Sequence, residues 1–110
     1  MYDLLIRGGR VIDGTGNPWF PADVAVQGDR VKVLRGEAGQ VPAARVIEAK
    51  GKVVCPGFID MHAHSGLMVL REPQHLPKVR QGVTTELVGV DGNSYAPFAS
   101  ADDFQMFVDL

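Results

Sequence analysis

The chain has 110 residues, a formal net charge of −2, and 45% hydrophobic against 22% charged residues, the balance of a globular protein and not of a disordered or fibrous one. Lys and Arg are scattered along the chain, so nothing in the charge suggests a nucleic-acid partner. No stretch approaches the roughly 20 apolar residues of a spanning helix, and residues 1–7 lack a basic and then apolar leader; with a single cysteine, Cys55, the chain reads as a soluble, cytoplasmic protein from a reducing compartment that avoids membranes.

Short strands punctuated by turns fill the first half, at 3–7, 10–12, 23–27, 30–34 and 45–48. Gly14-Thr15-Gly16-Asn17-Pro18 lacks the Lys-Ser/Thr of a phosphate loop and reads as a connection. Trp19 and Phe20 beyond it are expected to pack under a small sheet. Gly28-Asp29 has the chemistry of a tight turn, so 23–27 and 30–34 should form an antiparallel hairpin. The alternation of Val24, Val26, Val31 and Val33 suits a sheet with one buried face. Residues 36–42 form another loop. Near Val53 the character changes, which places a small antiparallel β domain at 1–54 and a second region at 55–110. Cys55 is expected to be a small buried hydrophobe at the entry of the next strand. Seven residues before His62, or about 23 Å along an extended chain at ~3.3 Å per residue, it cannot share a bound metal ion with that histidine.

The second region opens on Pro56-Gly57-Phe58-Ile59-Asp60-Met61-His62-Ala63-His64. In a strand Phe58, Asp60, His62 and His64 share one face, so two imidazoles converge. Imidazole is the commonest nitrogen ligand for zinc and its neighbours, and a His-x-His pair supplies half of a four-ligand shell. Asp60 sits one step deeper, placed either to orient His62 through its second ring nitrogen or to make structural hydrogen bonds. A helix is expected over 73–81, with Gly82 as its stop, and His75 on it reads as a surface or packing residue. Residues 83–90 have the make-up of a second strand, and strand, helix, strand in this order is a βαβ unit with a parallel sheet. That strand ends at Asp91-Gly92-Asn93-Ser94. Asp91 is thus a third candidate ligand, although Asp-Gly-Asn is equally turn chemistry. Ser100 followed by Asp102 and Asp103 resembles the cap and first turn of a further helix.

The string Val54-Cys55-Pro56-Gly57-Phe58-Ile59-Asp60-Met61-His62-Ala63-His64 resembles the signature of the amidohydrolase superfamily. From Tyr2-Asp3-Leu4-Leu5-Ile6-Arg7-Gly8-Gly9 through Gln81-Gly82-Val83-Thr84-Thr85, the whole chain resembles the N-terminal part of its N-acyl-D-amino-acid deacylase (D-aminoacylase) family. The resemblance implies an α/β protein: a small β-sandwich domain followed by the first strands and helix of a metal-dependent (β/α)8 barrel. Such a barrel takes about 250 residues, so the chain is expected to be a truncated piece of a longer parent.

The family also implies a divalent metal, first of all Zn2+, and metal-assisted hydrolysis of a linear amide in a small N-acyl amino acid. His62 and His64 would then be metal ligands. D-aminoacylases carry a ligand cysteine in Gly-Asn-Cys-Gly, where this chain has Gly89-Val90-Asp91-Gly92, exchanging a soft thiolate for a hard carboxylate. The proton-shuttling aspartate is expected beyond Leu110, so the isolated piece should be inactive. A cyclic-amide hydrolase of the dihydropyrimidinase type and a non-enzymatic scaffold on the same fold are the competing expectations.

Overall fold

The computed structural model describes residues 1–36, 41–66, 68–92 and 98–109. It divides into two compact units, Met1–Pro56 and Gly57–Leu110. Most of the loop expected over 36–42, and Asn93 and Ser94 of the strand-end turn, lie outside the described residues.

In the first unit, strands β1 (Tyr2–Val11), β2 (Phe20–Gln27), β3 (Arg30–Leu34), β4 (Ala43–Glu48) and β5 (Val53–Val54) form one five-stranded sheet. β1 pairs antiparallel with β2, and its other side is shared by two parallel partners, β4 against residues 2–7 and β5 against Arg10 and Val11. The expected antiparallel domain is therefore corrected to a mixed sheet. Alternation of side chains is the same in both kinds of strand, so it carries no information on direction.

The two strands expected at 3–7 and 10–12 are one strand with a bulge between Ile6 and Gly9. Gly8 takes φ 70° there, and its freed N–H donates to Asp23 Oδ1 at 2.7 Å, which satisfies a donor the ladder no longer pairs. Gly9 has no room for a side chain: a Cβ would stand 2.5 Å from Val54 Cγ2.

The hairpin forms as expected, with Gln27 opposite Arg30 and Gly28 at φ 57°. Small apolar clusters lie on the sheet, Leu5 with Ala25 and Leu34, and Val11 with Ala22 and Val24. Val31 and Val33 are exposed, so the valine alternation marks a face that is buried only toward β1. Two further expectations are corrected. Trp19 is exposed and lies under the Arg10 guanidinium, 5.2 Å from ring centre, because the flat π-face attracts a cation without needing burial. Cys55 is exposed as well; it follows the last sheet strand, in a stretch of no regular structure.

The second unit has a parallel pair, β6 (Phe58–Asp60) and β7 (Val83–Glu86). Between them run two short helices, α1 (Met68–Arg71) and α2 (Leu76–Val79), and α3 (Ala101–Val108) follows. This is the expected βαβ order with shorter elements. The helix expected over 73–81 shrinks to α2 because His75, in the left-handed region at φ 43°, interrupts it. Gly82 ends it at φ 82°, its N–H donating to the Val79 carbonyl at 3.0 Å. β7 stops at Glu86, four residues early, although backbone hydrogen bonds continue. Ser100 caps α3, its Oγ accepting the Asp103 N–H at 3.1 Å, and Phe98 meets Phe104 edge to face at 5.3 Å. Among the described residues no helix is long and apolar enough to cross a membrane.

Candidate metal centre

The close passage of chain at Gly57 sets where β6 can lie. A Cβ on Gly57 would fall 2.1 Å from Thr84 Oγ1 and 2.7 Å from Thr84 Cβ, so only glycine lets the two strands run this near. β6 then ends at Asp60, and His62 and His64 stand beyond it in a bend, not on the strand as expected. The alternation nevertheless persists: Ala63 is buried at 2% exposure while the histidines on either side point outward. Backbone bonds fix this stretch onto the end of β7. Leu87 N–H donates to the Asp60 carbonyl at 2.8 Å, and Ala63 N–H donates to the Leu87 carbonyl at 3.1 Å.

The imidazoles do converge. His62 Nε2 and His64 Nε2 are 3.2 Å apart, with ring centres at 5.3 Å. Asp91 joins them, its Oδ2 lying 2.8 Å from His62 Nε2 and 3.2 Å from His64 Nε2. The residue is at once a turn residue and a side chain of the cluster: Asp91 has φ 53° and Gly92 φ 81°, a left-handed pair that short polar residues and glycine tolerate, and that backbone carries the carboxylate beside the rings. Among the described residues, His62, His64 and Asp91 form the one group of three whose nitrogen and oxygen atoms are close enough to hold a metal ion.

The donor set fits such an ion. Ligands about 2.0–2.1 Å from a tetrahedral zinc lie roughly 3.3 Å from one another, close to the 2.8–3.2 Å seen here. Three acceptor-capable atoms crowded on one point also repel unless a proton or a cation lies among them. All three side chains are open to solvent, at 48–61% exposure.

Asp60 does not touch the His62 ring, which corrects one of its two expected roles. Its Oδ1 accepts the backbone N–H of His62 at 3.1 Å, and its Oδ2 pairs with Lys78 Nζ at 2.5 Å. The Lys78 hydrogen bond, and after it the His62 N–H, hold the Asp60 carboxyl below the ordinary carboxylate range. Sequence reasoning missed the network behind it. Lys78 also reaches Glu86 Oε1 at 3.1 Å, Ser65 Oγ donates to Glu86 Oε2 at 2.6 Å, and His75 Nε2 lies 3.3 Å from both Glu86 oxygens. The signal available in the sequence was the spacing of His75 and Lys78, which puts them on one side of a helical turn. Their target, Glu86, emerges only from the register of β6 on β7.

A model of the amidohydrolase family matches residues 45–106. N-acyl-D-glutamate deacylase of Alcaligenes xylosoxydans xylosoxydans is 39% identical over 118 residues, a match covering 98% of this chain and 24% of that protein. A solved D-aminoacylase, described by its binuclear metal centre, superposes with a TM-score of 0.81 at 45% identity, covering 92% of this chain and 21% of its own. N-acyl-D-glutamate deacylase from Bordetella bronchiseptica, solved with zinc and a phosphonate inhibitor, gives a TM-score of 0.80 at 44% identity, covering 87% and 20%. The chain thus spans about a fifth to a quarter of the length of these relatives. Its fold is theirs over that span, a mixed α/β arrangement of one five-stranded sheet followed by the β6–β7 parallel pair and short helices. With more than half of its residues matched by the family model, the chain belongs to the amidohydrolase family.

Proposed function

We propose that this chain is the N-terminal part of a metal-dependent N-acyl-D-amino-acid deacylase, in which His62, His64 and Asp91 hold a divalent cation, zinc first of all. The observation that carries the reading is the approach of His62 Nε2, His64 Nε2 and Asp91 Oδ2 to within 2.8–3.2 Å of one another beyond the C-terminal ends of two parallel strands. In a barrel of this kind that rim is where active sites gather. When bound, the cation polarises an amide carbonyl and lowers the pKa of a water.

The chain's own part is to place and tune. The two imidazoles bring donor nitrogens without adding negative charge. Asp91 brings one negative charge and a hard oxygen donor, which widens the acceptable metals toward manganese and cobalt relative to a thiolate at the same place. A small N-acyl amino acid is the substrate class that the names of the relatives support. A cytoplasmic setting is supported by the lone free cysteine, since thiols stay reduced in that compartment.

Zinc titration of the purified chain against a chromophoric chelator tests the centre. We expect one tight site, weakened more than ~100-fold by His62→Ala or His64→Ala, beyond the range of outer-shell changes. Equal affinity in those variants sinks the assignment. The activity is tested on the parent protein, which should release amino acid from N-acetyl-D-amino acids in preference to their L enantiomers.

A further inference from the structure

The residues that hold the two histidines are themselves held by one cation. Asp60 lies opposite Glu86 on the paired strands, and like charges on neighbouring strands repel. Lys78 stands between them, bonded to both. Unlike the open histidine and aspartate cluster, this group is largely shielded: side-chain exposure is 26% for Asp60, 27% for Lys78, 14% for Glu86 and 17% for His75.

The network reaches both ends of the histidine segment. At one end Asp60 receives the backbone N–H of His62; at the other, Ser65, next to His64, donates its hydroxyl to Glu86. The geometry points to Lys78 and Glu86 as positioning residues of the metal centre, a clamp that fixes Asp60 and Ser65 and so sets the separation of the His62 and His64 rings. This rests on the metal-centre reading above. Neither residue touches the donor atoms, so their effect passes through the backbone between residues 60 and 65. The titration of the pair agrees with the geometry: Asp60 and then Glu86 hold the Lys78 ammonium above its ordinary value, and Ser65 foremost holds the Glu86 carboxyl below its own.

Removing the charge while keeping the stem separates a clamp from a mere surface pair. Zinc affinity is measured by chelator competition for the unaltered chain, Lys78→Met, Lys78→Arg and Glu86→Gln, with metal-free thermal unfolding followed alongside. We expect Lys78→Met to lose ~10–100-fold in zinc affinity, the range for groups that orient ligands, and Glu86→Gln about 10-fold. Lys78→Arg should restore most of the loss, because a guanidinium spans both carboxylates. Unchanged affinity in a folded Lys78→Met overturns the clamp while leaving the centre intact. Failure of the unaltered chain to bind zinc overturns the centre itself, and the clamp with it. Should Lys78→Met not fold, the isosteric Glu86→Gln decides, since equal affinity there overturns the proposal.

Discussion

The two units are held together by different means. In Met1–Pro56 a continuous backbone ladder over five strands closes on small apolar clusters around Leu5 and Val24. In Gly57–Leu110 the sheet has two short strands, and Ala63 is the one buried hydrophobic residue among those described. Phe58, Ile59 and Met61 stay exposed, while the Asp60, Lys78 and Glu86 network lies partly shielded beside the candidate ligands. The contrast teaches that the first unit holds its strands by a backbone ladder and apolar burial within this chain, whereas the second joins its two strands through charged side chains that also reach the candidate site.

That contrast can be broken, and the largest effect should come from the sheet. Leu5→Ala removes a side chain that is 1% exposed and should cost about 2–5 kcal/mol of unfolding free energy. Trp19, the single tryptophan, lies in that unit, so denaturant melts followed by its fluorescence report the loss. A melt unchanged by Leu5→Ala would mean that the ladder alone carries the first unit.

Next in size is Gly57→Ala, which forces a methyl into Thr84 and should cost about 1–3 kcal/mol, the range for overpacking. Zinc affinity should fall with it, because β6 and β7 separate beneath the histidines. Gly57→Ala combined with Thr84→Ser, which removes one of the clashing atoms, should recover part of both.

The mildest effect is of pH on the second unit. The Glu86 carboxyl sits below its ordinary 4.5, so the stability it lends is complete above that value and drains away as the pH falls through its lowered one. The Lys78 ammonium sits above its ordinary 10.5, so its contribution is complete below that value and fails as the pH rises through its raised one. Exchange protection of the Leu87 and Ala63 amides, corrected for intrinsic rate, should therefore be flat between roughly pH 5 and 10 and decline on either side. The lowered Asp60 carboxyl adds to the same acidic decline, so Glu86→Gln should shrink that limb without abolishing it. An acidic limb left at full size would show that Glu86 does not contribute to this unit.

Much of this was legible in the sequence because it is local. Gly28-Asp29 specified its hairpin, Ser100 its cap and Gly82 its stop, each through the conformation or hydrogen bonds of a few adjacent residues. The convergence of His62 and His64 followed from their two-residue spacing, even though the strand ends before them. What escaped depends on partners distant in sequence. The parallel placement of β4 and β5 on β1 leaves no trace in alternation. Gly8-Gly9 looked like a strand break because the carboxylate that rescues its backbone belongs to Asp23, fifteen residues away. The role of Lys78 needed the opposition of Asp60 and Glu86, which only the strand register creates. Asp91 was ambiguous for a different reason, since one left-handed backbone serves both its turn and its carboxylate.

The seating of β1 between β2 and the tandem β4 and β5 also orders events during synthesis. β1 can pair along one flank as soon as β2 has been made, but its other flank waits for Ala43 to meet Tyr2 and for Val54 to meet Val11. Loop closure of that span must precede the contacts that reward it, which slows assembly. Until then the nascent hairpin offers an unpaired edge to any neighbouring chain, and the interval is when a chaperone would have most to protect.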